Sequence, residues 1–107
     1  MHRVSKLRYL PSFYEDLEEK ILYIAEDLKN PKAANKLLEA VESAILERMS
    51  SPEAFARYRS SHERKYPYYR IYVKNFVIYY VLIEEDCEKI MEVRRLLYKR
   101  QNRESLI

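Results

Sequence analysis

Glycine is absent from all 107 residues and so is tryptophan, while cysteine occurs once and histidine twice. Without glycine there can be no phosphate-cradling loop of the nucleotide-binding kind, because such loops need a residue without Cβ where the backbone meets the phosphate. The lone Cys87 excludes an internal disulfide, and one cysteine with two histidines cannot build a zinc cluster. Cys87 sits in the acidic run Glu84–Glu88 and reads as an incidental turn residue of a reducing compartment. No apolar run reaches the ~18–20 residues that span a bilayer. The opening MHRVSKLRYLPS is basic but carries no apolar signal core. A cytoplasmic protein without membrane contact is expected.

What is present is enough for one domain over residues 1–107, with 48% hydrophobic and 35% charged side chains. The net charge of +3 is unevenly spread. Residues 1–56 carry 8 Lys/Arg against 10 Asp/Glu, whereas residues 57–107 carry 12 against 7. A basic second half suits an anionic partner, either nucleic acid or an acidic protein, as well as it suits a mixed solvated surface.

Residues 3–10 alternate as a half-buried strand does. Ser12 and Glu15 have the spacing of a capping box, and Leu17, Ile21, Ile24 and Leu28 then recur on one helical face. Acids crowd the early turns of this helix, where its dipole favours them. Asn30-Pro31 predicts a cap and a first helical position for a second helix. Its apolar stripe is Ala34, Leu37, Leu38, Val41, Ile45 and Met49, and Ser50-Ser51-Pro52 ends it. Residues 57–67 read as a polar, basic loop. A strand over residues 68–74 follows, with Arg70 and Tyr72 on one face. Phe76–Ile83, apolar on both faces, is the expected central strand, and Lys74-Asn75 the hairpin turn before it, with Asn75 taking the positive φ. A last strand runs from about Lys89 to Leu97, ahead of a basic tail. The pattern predicts an α+β fold, β-α-α-β-β-β, with a helical hairpin packed on a small antiparallel sheet. Leu17, Ile21, Ile24, Leu38, Val41, Ile45, Ile78, Tyr80 and Val93 are the expected core.

The chemistry-bearing residues are arginine, lysine and tyrosine. Arg70 and Tyr72 share a strand face, while Arg94, Arg95, Lys99, Arg100 and Arg103 crowd the last strand and tail around Tyr98. Guanidinium forks grip phosphates and tyrosine rings stack on bases, so the mixture suits RNA. A cluster of cations can also stabilise a phosphorane-like transition state without a metal. The same arginines could instead hold the acidic groups of a protein. His62 lies in a solvated stretch and carries little signal by itself.

In their order and spacing these segments resemble the RelE/ParE toxins of bacterial type II toxin–antitoxin modules. The resemblance runs through Asp16-Leu17 and Tyr23-Ile24-Ala25, Asn30-Pro31 with Ala33-Ala34, the hairpin Tyr69-Arg70-Ile71 to Phe76-Val77-Ile78-Tyr79-Tyr80, and the closing VRRLLYKRQNRESLI. It implies a growth-arresting toxin held inactive by a cognate antitoxin, with no cofactor and no metal. One branch of the family cleaves mRNA in the ribosome, and the resemblance then assigns phosphate contact to Arg70 and Arg100. Tyr98 or His62 would assist proton transfer, while Tyr72, Arg94, Arg95, Lys99 and Arg103 would bind RNA. The other branch poisons DNA gyrase by binding, and a degenerate member would only bind its antitoxin. Val77, Tyr72 and Leu106 depart from the nuclease pattern, which is still the reading favoured at this point.

Overall fold

The computed structural model describes Val4 and residues 6–53, 57–58 and 66–100, with the backbone alone at 57–58. Strand β1 (Lys6–Tyr9) leads into helix α1 (Pro11–Leu22), a π-helical turn (Tyr23–Asp27) and helix α2 (Pro31–Arg48). Strands β2 (Arg57–Tyr58), β3 (Tyr68–Val73), β4 (Phe76–Glu85) and β5 (Glu88–Tyr98) complete the chain. The sheet order is β1-β5-β4-β3-β2, so the apolar β4 is the central strand and Val77 to Val81 are fully buried.

The fold is the expected α+β arrangement with two corrections. The sheet is mixed, because β1 pairs in parallel with β5, from Lys6 opposite Ile90 to Tyr9 opposite Val93. The segment read as loop contains β2, two residues that pair with Tyr68 and Tyr69. Neither pairing is local, so neither leaves a turn signal in the sequence.

Helix α1 begins differently from the capping-box reading. Pro11 takes the first helical position, where its fixed φ is suitable and its missing N–H costs nothing. Leu10 is the capping residue; its N–H donates to the Val93 carbonyl at 2.9 Å, and no side chain caps the helix. Ser12 therefore lies inside the first turn and donates its hydroxyl to the Arg94 carbonyl at 2.7 Å. The first turn holds no acid, so the dipole argument, which fades within one turn, has little purchase. At α2 the expected cap is present: Asn30 Oδ1 accepts the Ala33 N–H at 3.1 Å, and Pro31 starts the helix.

Between the helices the π turn closes with Leu28 N–H on the Tyr23 carbonyl and Asn30 N–H on the Ile24 carbonyl, both at 3.0 Å. Its wider winding shifts the helical phase and leaves Leu28 56% exposed rather than on the inner stripe. Lys29 then takes a left-handed φ of 51°, the place usually given to glycine. Lys74 (φ 53°), and not Asn75, does the same in the β3–β4 turn. Asp86 and Cys87, with φ of 47° and 64°, form the β4–β5 turn, since a two-residue hairpin needs positive φ.

The helical hairpin covers one face of the sheet. Phe13, Leu37, Val41 and Ile45 pack there against Ile71, Ile78, Tyr80, Val93 and Leu96. Leu17, Ile21 and Ile24 are partly buried against this cluster. Leu38, expected inside, is 43% exposed, because Ala34, Leu37, Val41 and Ile45 already supply a complete inner stripe. On α1 the inner positions run Phe13, Leu17, Lys20, Ile24, so a lysine occupies a place that periodicity would give to leucine. The far face of the sheet carries a second apolar cluster of Tyr68, Val77, Tyr79, Val81, Ile83, Ile90 and Leu97.

Past the end of β1 the edge of β5 is closed by α1 rather than by a strand. The Asp16 carboxylate accepts the Leu96 N–H at 2.9 Å and a two-pronged contact from Arg95 at 2.7 and 2.9 Å.

Candidate functional site

The β3–β4 turn and the end of β5 lie side by side, because Lys99 N–H donates to the Asn75 carbonyl at 3.0 Å. This brings together residues 70, 72 and 99 on the sheet face away from the helices. The Tyr72 ring, 54% exposed, has the Arg70 guanidinium 5.7 Å and the Lys99 ammonium 5.6 Å from its centre. Such spacing is that of cation–π contact. The ring also borders a cleft of about 500 Å³ lined by Glu47, Arg48, Ser50, Ser51 and Ile71. Arg48 forms its wall, donating to the Arg70 carbonyl at 2.9 Å and to the Tyr80 hydroxyl at 3.1 Å. That hydroxyl in turn donates to the Pro52 carbonyl at 2.6 Å. Burial raises the Tyr80 phenol above its usual range against the opposing pull of Arg48.

Tyr98 stands elsewhere. It pairs with Phe76, their ring centres 4.9 Å apart, and packs against the helix-side cluster. Tyr72 pairs with Val77, a member of the far-side cluster. The two tyrosines therefore project from opposite faces. The reason is a bulge in β5: Tyr79 pairs with Arg95 but Tyr80 pairs with Val93, leaving Arg94 as an extra residue that reverses the alternation. Burial pushes the Tyr98 phenol up, helped by Tyr23 and Glu19, so at neutral pH it is a proton donor and not a base. Behind it lies Lys20, 2% exposed, its ammonium 4.9 Å from the Tyr98 ring centre and 3.9 Å from Glu19. Burial pushes the Lys20 amine down, with Asp16 and Glu19 pulling it back.

The arginines read as RNA contacts on β5 are engaged within the fold. Arg95 clasps Asp16. Arg94 donates to Glu92 at 2.8 Å and lies 5.8 Å from the Tyr68 ring centre. Glu92, only 4% exposed, also takes Arg8 from β1 at 2.7 Å. Arg100 is exposed in the turn after β5. His62, Arg103 and Leu106 lie outside the described residues. Sequence reasoning overlooked Arg48, Glu92 and Lys20, each of which meets a partner remote in the chain: Tyr80, Arg8 and Tyr98 respectively. Only the acid–base alternation of Glu92 with its arginine neighbours hinted at an ion pair. Among the described residues no group of three or more His, Cys, Asp or Glu side chains is placed to hold a metal. No described helix is long and apolar enough to cross a membrane.

A family model described as the ParE toxin of the type II toxin–antitoxin system, parDE, matches residues 7–103. No curated protein matches the chain. The match covers every described strand and helix apart from Lys6, the first residue of β1.

Proposed function

The chain belongs to the ParE toxin family of type II toxin–antitoxin systems, and from that premise we propose that it stops growth by binding DNA gyrase rather than by cutting RNA. Membership makes a cognate antitoxin its partner. The observation that most supports binding is the separation of Tyr98 from Arg70. Phosphoryl chemistry needs its proton donor and its phosphate clamp within hydrogen-bond reach of one reacting centre. Here the phenol lies on the helix side of the sheet, packed on Phe76, and Arg70 sits with Tyr72 on the other. The partly buried pair of Arg95 with Asp16 and the clasp of Arg94 on Glu92 further favour structural roles for those arginines.

A second reading, ribosome-dependent mRNA cleavage, draws on the Arg70–Tyr72–Lys99 group, whose two cations flank an exposed ring suited to stacking on a base. In it Arg70 and Arg100 grip the phosphate, Tyr98 or His62 moves the proton, and Lys99 and Arg103 bind RNA.

Two assays with the purified protein separate these readings. Relaxed plasmid and gyrase should fail to supercoil in its presence, while mRNA on stalled ribosomes stays intact. Ribosomal mRNA cleavage that drops about 10²–10³-fold in Arg70→Ala, with the fold kept, overturns the gyrase reading. A chain that does neither while binding its antitoxin is the non-toxic member.

A further inference from the structure

A second cleft, of about 340 Å³, opens between the π turn of the helical hairpin and the β3–β4 turn. Its floor is apolar, made by Ile24, Leu37, Phe76 and Tyr98. The floor is also fixed in place: Phe76 and Tyr98 pack ring against ring, and Lys20 supports the far side of Tyr98. Tyr23 and Leu28, respectively 46% and 56% exposed, extend the apolar surface to its mouth. The charged side chains lining it are Lys36 and Lys74, and no carboxylate lines it. The acids of the π turn, Glu26 and Asp27, are exposed and outside the lining.

Two features indicate a receiving surface rather than an accident of packing. Large exposed apolar side chains gathered around one concavity with a polar rim mark contact sites. The wall that holds Tyr23 and Ile24 is π-helical, a winding that is rarely retained and is common at functional positions. The charge complement of a lysine-rimmed apolar cleft is a segment with one apolar anchor flanked by carboxylates.

We propose that this cleft seats an acidic segment of the cognate antitoxin, its apolar anchor on the Phe76–Tyr98 floor and its carboxylates toward Lys36 and Lys74. The proposal rests on family membership for the antitoxin's existence, and on the cleft alone for where and how it binds. The cleft lies on the helix side of the sheet, away from the Arg70–Tyr72–Lys99 face, so the antitoxin need not cover that group in order to bind.

The test uses the chain coexpressed with the antitoxin encoded beside it, and the free chain as reference. Amide hydrogen exchange in Tyr23–Lys29 and Val73–Phe76 should slow by at least about tenfold in the complex if a segment covers these turns. Lys36→Glu with Lys74→Glu should slow association by about tenfold at low salt, the difference shrinking at about 0.5 M salt. Leu28→Asp should speed dissociation to a similar degree, since an apolar contact at the mouth is lost. All three side chains are exposed, so the thermal melt of the free variants should match wild type. A complex that forms with wild-type kinetics in every variant, its cleft amides exchanging as in the free chain, overturns the docking site while leaving the toxin assignment intact. Failure to form any complex overturns both.

Discussion

On its helix side the sheet presents Ile71, Ile78, Val93 and Leu96 to Phe13, Leu37, Val41 and Ile45, and the two layers are held by the fit of apolar volumes. On its far side an apolar strip of Val77, Tyr79, Val81 and Leu97 runs beside Glu92, which is gripped by Arg8 from one neighbouring strand and Arg94 from its own. The two faces respond to different perturbations. Volume fit is insensitive to pH and salt but sensitive to a lost methyl group, whereas the carboxylate clasp answers to protonation. A chain with 35% charged residues has thus placed most charge outside and spent very little of it on interior structure.

The largest effect should come from the volume-held face. Ile78→Ala removes a fully buried side chain from the central strand and should cost about 4 kcal/mol, read as a shift in urea midpoint. A loss below about 1 kcal/mol would show that the helix layer does not depend on this fit. Next comes the clasp. Glu92→Gln should cost about 2–3 kcal/mol at pH 7, less than a fully buried pair because Arg8 is half exposed and screened. Burial alone raises the Glu92 carboxyl, but the hydrogen bonds from Arg94 and Arg8 outweigh it and hold it below its ordinary value of 4.5. A depressed carboxyl contributes stability that is complete above the unfolded value and is lost as pH falls through the folded value. Wild type should therefore lose its advantage over Glu92→Gln progressively below about pH 4. If the gap stayed constant down to pH 2, the clasp would not be ionic. The smallest effect belongs to Leu38→Ala, within about 1 kcal/mol, against about 3 kcal/mol for Leu37→Ala, because only Leu37 is buried. Equal losses would mean that α2 is rotated about its axis.

Leu37 and Leu38 also mark the limit of what periodicity could give. The stripe of α2 was legible, as was its Asn30-Pro31 start, since both are written in local spacing and cap chemistry. Which of two adjacent leucines turns inward depends on the sheet beneath, and that is set far away in the chain. The same holds at α1, where Ser12 matched a capping box but Pro11 and the Leu10–Val93 hydrogen bond fixed the start two residues earlier. Strand β1 carried an alternation signal, yet its parallel partner lies more than eighty residues on. At the candidate site, the shared face of Arg70 and Tyr72 followed from simple alternation. The position of Tyr98 did not, because an extra residue at Arg94 reverses every face after it and nothing in the local sequence announces a bulge.

Asp16 has a consequence for how this molecule survives among copies of itself. A strand edge with free amides is a template on which another chain can add its own strand, the first step of sheet-by-sheet aggregation. β5 outlasts β1 by several residues, and there a single carboxylate takes the Leu96 amide while its guanidinium partner from Arg95 lies across the edge. Both a donor and the space beside it are occupied by side chains that cannot propagate pairing. A charged stopper also repels the approach of apolar strands, and it does so without lengthening the chain by a protecting strand. At that place the sheet ends in an ion pair, so growth of the sheet between molecules has no starting edge there.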